Sequence, residues 1–95
     1  MKILQISSAP VTYPGGTERV VLEVSKRLAK QGHKVTVVQT DLYDKQIEKG
    51  RSKIEGFDVF TFKNNLWLGG LGYSRDLIEW LKENYKNYDI VDSHG

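Results

Sequence analysis

The stretch 2–38, KILQISSAPVTYPGGTERVVLEVSKRLAKQGHKVTVV, changes its hydrophobic period twice, and those changes decide the fold. Residues 2–7 are a short apolar run of strand formers with no turn residue before Pro10, which reads as a buried strand. Residues 8–16 hold both prolines of the chain and a glycine pair, so they form a loop. Beyond it Val20, Val21, Val24 and Leu28 recur at i, i+1, i+4 and i+8, with Arg19, Glu23, Lys26, Arg27 and Lys30 between them. That spacing predicts an amphipathic helix. Glu18 in its first turn and Lys30 in its last both suit the helix dipole. Gly32 follows where a left-handed C-cap is wanted. Val35-Thr36-Val37-Val38 is then a second strand, made largely of β-branched residues.

Residues 41–56 carry eight charges and two glycines, which predicts a solvated excursion with a helical turn over Tyr43–Lys49. Phe57–Phe62 alternates as a third strand, with Phe60 and Phe62 on one face and Val59 and Thr61 on the other. Residues 63–73 form an apolar loop broken by three glycines. Ser74 offers an N-cap to a second helix, whose stripe Leu77, Ile78, Trp80, Leu81 and Tyr85 is expected to be core. Asp89–Ser93 is a fourth strand. Helical crossovers between apolar strands predict a doubly wound, mostly parallel α/β sheet with strand order 3-2-1-4. In that order the first and fourth strands are neighbours and the chain winds outward from them in opposite directions. Ligands of open α/β sheets bind beyond the carboxyl ends of the strands at such a reversal. The loop Ser8–Gly16 and the segment Ser93-His94-Gly95 border that crevice.

Fourteen Lys and Arg against twelve Asp and Glu, mixed along the chain, give no basic stripe and no case for nucleic acid. With no cysteine, a disulfide framework and a thiolate metal site are both excluded. Two distant histidines and scattered carboxylates predict no metal. The apolar run at the amino terminus is too short for a secretory core, and no run approaches membrane-spanning length, so the expected location is the cytoplasm.

Gly15-Gly16 opens the first helix, where unsatisfied N–H groups point outward and no Cβ obstructs an approaching anion. The pair either holds a diphosphate or merely turns a loop into a helix. A nicotinamide or flavin site is disfavoured, because the Gly-x-Gly-x-x-Gly spacing is missing. Asp41 either imitates a ribose-binding acid or forms a turn, as most aspartates there do. His94 stands at the carboxyl end of the fourth strand, where an imidazole can bond a sugar hydroxyl or phosphate or share a proton. His33 is expected to satisfy loop backbone groups, and Arg19 and Lys2 to be solvated. Leu66, Trp67, Leu68 and Leu71 either fold onto the sheet edge or make a patch touching lipid or a hydrophobic acceptor.

Three segments in order carry a resemblance: Pro14-Gly15-Gly16-Thr17-Glu18-Arg19-Val20-Val21, Gly32-His33-Lys34-Val35, and Asp89-Ile90-Val91-Asp92-Ser93-His94-Gly95. Together they resemble the N-terminal domain of glycosyltransferase family 4. The resemblance implies a GT-B fold, with this chain as the incomplete front of one of its two Rossmann-like domains over residues 1–95. It further implies a retaining transfer of sugar from a nucleotide-sugar donor to a sugar or lipid acceptor. The nucleotide sugar is then the substrate, with no cofactor and no metal. By position, Gly15, Gly16 and Thr17 would lie against the donor diphosphate, and the catalytic His94 against the transferred sugar. Asp92 stands where many members carry histidine. The family's C-terminal domain, with its nucleotide-binding groups and paired glutamates, lies outside this chain, which alone is expected to be inactive. Self-association through an open fourth-strand edge and a membrane-peripheral contact through the apolar patch are the further expectations. The runner-up is a non-catalytic nucleotide- or phosphate-binding module acting with a partner, and behind it a nucleotide-sugar epimerase.

Overall fold

A computed structural model describes residues 1–64, 66–68 and 71–94, with the backbone alone described for 66–68, 71–73 and His94. Strand β1 (Lys2–Ser7) leads through the expected loop into α1 (Gly16–Lys30) and β2 (Lys34–Thr40). The chain continues through β3 (Gly50–Ile54), β4 (Phe57–Phe62), β5 (Leu66–Leu68), β6 (Leu71–Tyr73), α2 (Arg75–Asn84) and β7 (Ile90–His94). The main sheet runs β3-β4-β2-β1-β7. Its four parallel strands, β4-β2-β1-β7, stand in the predicted 3-2-1-4 order, and only β3 is antiparallel.

The central position of β2 explains its composition. It is covered on both faces, and every residue from Val35 to Thr40 is buried. On one face Val35, Val37, Phe57 and Val59 pack with Val21 of α1 and Val11 of the first loop, flanked by half-buried Leu22, Leu28, Ala29 and Ile54. The helix ends as Gly32 predicts. Gly32 has φ +94°, its N–H reaches the Ala29 carbonyl at 3.1 Å, and the His33 N–H reaches Leu28 at 3.2 Å. These two bonds make a Schellman C-cap. On the other face Trp80 of α2 packs on Phe60 (ring centroids 5.2 Å apart), Phe62 and Tyr88.

Four expectations need correction. The excursion 41–56 has turns but no helix over Tyr43–Lys49, and its second half is β3, hydrogen-bonded along β4. Glu55 and Gly56, with φ 38° and 93°, close this hairpin as a two-residue turn with both residues left-handed. The charges of β3 (Arg51, Lys53) hide its strand character, yet charge is what keeps an edge strand from pairing with another chain. Secondly, the segment read as an apolar loop contains the two-stranded hairpin β5–β6, paired Leu66↔Tyr73 through Leu68↔Leu71. Whether Leu66, Trp67, Leu68 and Leu71 present a patch falls on side chains outside the described residues. Thirdly, α2 is not core: Leu77, Ile78, Trp80 and Leu81 are half-buried and Tyr85 is exposed. Finally, the buried face of α1 is rotated from the predicted stripe. Val20 is 53% exposed, whereas Ser25 is fully buried.

Among the described residues the Ser25 hydroxyl has no hydrogen-bond partner. A buried polar group left unpaired costs about 1–3 kcal/mol. Ser25→Ala removes that group and installs a better helix former. It is expected to stabilise the chain by about 1 kcal/mol, and thermal unfolding should then shift up by about 4–8 °C. A lowered midpoint would show that the hydroxyl is satisfied in solution.

Candidate functional site

The carboxyl ends of β1, β2 and β7 face one way, and the loop Ser8–Gly15 is pinned across them. The Ser7 hydroxyl donates to the Ala9 carbonyl at 2.7 Å, and the Thr40 hydroxyl donates to the Ser8 carbonyl. Deeper in, the Val11 N–H donates to Gln39 Oε1 at 2.9 Å, and Gln39 Nε2 donates to the Thr61 hydroxyl at 3.0 Å. Ala9 and Val11 are buried beneath it. A long loop anchored by buried side-chain bonds is a rigid support for whatever it presents.

It presents the start of α1. Gly15 is the N-cap, with extended backbone (φ −108°, ψ 161°) and no side-chain cap. The first helical bond runs from the Arg19 N–H to the Gly15 carbonyl at 3.1 Å. The amides of Gly16, Thr17 and Glu18 therefore face outward at the positive end of the dipole. The two glycines differ in surroundings. A Cβ on Gly15 would come within 2.5 Å of Glu18 Oε1 and 3.3 Å of the Tyr13 ring, so the Glu18 carboxylate is folded over the N-cap. A Cβ on Gly16 would meet nothing within 4 Å.

His94 ends β7 and pairs in register with Ser7, the last residue of β1. The glycine loop and His94 thus leave neighbouring strands at the same end of the sheet. The His94 side chain lies outside the described residues, as does Gly95. Asp92 accepts a long 3.4 Å bond from Gln5 Nε2. His33 Nδ1 lies 3.2 Å from the Met1 amino group at an exposed position. Lys2 extends over the Tyr88 ring, and Arg19 is exposed. Arg19 lines a hollow of about 240 Å³ with Thr12, Tyr13, Pro14 and Glu23.

At this end Asp41 forms the turn weighed for it, but its buried ion-pair staple and an aromatic pair were not read from the sequence. Asp41 is buried, and its carboxylate takes the Asn64 N–H at 2.7 Å, Lys49 at 3.0 Å and Lys45 at 3.4 Å. Burial pushes this carboxyl up, but the Asn64 N–H and the two ammonium groups outweigh it and hold it below the usual range. The carboxylate is therefore spent on stapling two loops together, and the Asp44 N–H closes a turn onto the Asp41 carbonyl at 3.0 Å. The second is an aromatic pair, Tyr13 stacked on Tyr43 with centroids 5.0 Å apart. Tyrosine at a turn position gives no sequence signal for such pairing.

No helix among the described residues is long and apolar enough to cross a membrane. The family model Glycosyltransferase Family 4 matches residues 14–95. No curated protein and no solved structure matches the chain.

Proposed function

The chain belongs to glycosyltransferase family 4, and from that premise we propose that it is the front of the N-terminal domain of a retaining enzyme that takes sugar from a nucleotide-sugar donor. Gly15, Gly16 and Thr17 hold the donor diphosphate, and His94 contacts the transferred sugar. As the glycosidic bond breaks, negative charge grows on the departing diphosphate. Fixed N–H donors of α1 then stabilise the transition state more than the ground state. On this reading a second domain with the nucleotide-binding groups completes the site. The chain's place of work on this reading is the cytoplasm.

One observation carries the proposal. Gly32, Gly50 and Gly56 have positive φ, which explains glycine at each of them. Gly16 does not, and it stands in the first turn of a helix with open space, among the described residues, where its Cβ would be. Glycine in a helix interior costs roughly 0.5–1 kcal/mol relative to alanine, and at the first helical position the cost is smaller but of the same sign. A bare residue at the helix start, with no neighbour to avoid among the described residues, supports close approach of a ligand as the reason.

The test is Gly16→Ala and Gly16→Val, read by thermal unfolding and by amide shifts during titration with nucleoside diphosphates and nucleotide sugars. Gly16→Ala is expected to keep or raise the unfolding midpoint while weakening binding about tenfold or more, the equivalent of roughly 1.4 kcal/mol. Parent-like binding by Gly16→Val, or ligand shifts spread over residues 41–56, would overturn the assignment.

A further inference from the structure

Tyr43 combines two costs. Its backbone is left-handed (φ 68°), a region that disfavours side chains larger than glycine or asparagine, and the residue is 57% exposed. Neither cost is needed for the turn, because Asn or Gly would make the same bend without strain. The conformation is nevertheless well held. The Leu42 N–H donates to the Thr40 hydroxyl at 3.2 Å, the Asp44 N–H to the Asp41 carbonyl at 3.0 Å, and Asp41 itself is locked by Lys45, Lys49 and Asn64. The result is a ring stacked on Tyr13 at 5.0 Å and 28°, and the Tyr13 ring in turn reaches 3.3 Å from the point where a Gly15 Cβ would stand. Tyr43, Tyr13 and Gly15 thus form a continuous line along the carboxyl rim of the sheet.

We propose that the open face of Tyr43, backed by Tyr13, is a stacking platform for a saccharide ring of the acceptor. The proposal rests on the sugar-transfer reading above and deepens it by naming the acceptor class. An exposed aromatic face offers its electron-rich π cloud to the weakly polarised C–H bonds on the apolar side of a pyranose. The hydroxyl edge of the sugar stays in water or finds polar groups. A preformed, strained support loses little entropy when the ring docks. The same line runs from Tyr43 through Tyr13 to the helix start assigned to the donor diphosphate.

The test uses the chain itself with the methyl glycosides of glucose, galactose and mannose as probes, read by saturation-transfer NMR. Nucleoside diphosphate titration runs in parallel. The expected result is transfer to the C–H face of at least one glycoside, kept in Tyr43→Phe and weakened about tenfold in Tyr43→Asn, the scale of one lost stacking contact. Tyr43→Asn should meanwhile unfold no earlier than the parent, since it relieves the left-handed strain, and should bind diphosphate unchanged. Glycoside signals of equal size in Tyr43→Asn, or none in the parent while diphosphate still shifts Gly15 and Gly16, would overturn the platform and leave the donor reading standing. Nucleoside stacking on Tyr43 in place of the glycosides would also overturn it. Loss of diphosphate binding in the parent would instead strike the sugar-transfer reading itself.

Discussion

Phe57→Ala is expected to lower the unfolding midpoint by about 15–30 °C and leave the chain barely folded at room temperature. Phe57 is 1% exposed and packs among Val35, Val37, Val59, Val21 and Val11, where α1 and the first loop meet the sheet. Truncating a buried phenylalanine costs about 3–5 kcal/mol, part for lost burial and part for the cavity left behind. A domain of this size has a total stability of order 5–15 kcal/mol. The change thus removes a large share of everything that holds the fold. Phe60→Ala is the matched control. Phe60 sits on the opposite face, half-buried under Trp80, so its loss removes less apolar contact and leaves an opening that water can fill. Urea unfolding should separate the two variants by at least about 1–2 kcal/mol. Equal costs would mean that the α1 face is not the dominant core.

The asymmetry between the two faces also explains what could be read from the sequence. The α1 helix and its strands were legible, because the helix is long, the strands are β-branched and the cap glycine stands where geometry needs it, although the buried face is turned from Val20 towards Ser25. Sheet order followed from handedness and winding alone, and β7 next to β1 is the arrangement expected. What failed was edges and tips. β3 is a real strand written in charged residues, since an exposed edge favours charge over apolar alternation, and no periodicity count can see it. The stripe of α2 is apolar yet only half-covered, with Ile90 and Val91 of the edge strand β7 exposed nearby. Hydrophobic pattern reports which face seeks burial, not how much is available. At the candidate site, the place of Gly15 and Gly16 at the start of α1 was legible, because a glycine pair after a proline-containing loop marks a helix start. The Asp41 staple was not legible, since its partners Lys45, Lys49 and Asn64 come from two loops that only the fold brings together.

That staple yields the second large effect. Asp41→Ala is expected to destabilise the chain by about 2–3 kcal/mol, chiefly because the buried Asn64 N–H loses its acceptor. The two ion pairs add less. The Lys45 side chain is 62% exposed and that of Lys49 36%, so both ammonium groups regain water when the carboxylate goes. Asp41→Asn should therefore cost clearly less than Asp41→Ala, since an amide oxygen can still take the Asn64 N–H. The charge contribution has its own signature in pH. The carboxyl is held below its ordinary value in the folded chain, so the unfolded chain binds this proton first as pH falls. The stabilisation is fully present above an unfolded value of about 3.9 and is lost as pH drops through the lower folded value. Unfolding free energy measured downward from pH 6 should accordingly fall more steeply in the parent than in Asp41→Asn once the pH passes below about 4. Parallel curves would mean that Asp41 is not charged in the folded chain. The same loosening should release the Tyr43 turn, so Asp41→Ala is expected to weaken the Tyr13–Tyr43 stack. Near-ultraviolet dichroism of the tyrosines reports this, and a spectrum identical to the parent's would disconnect the staple from the rim it is argued to hold.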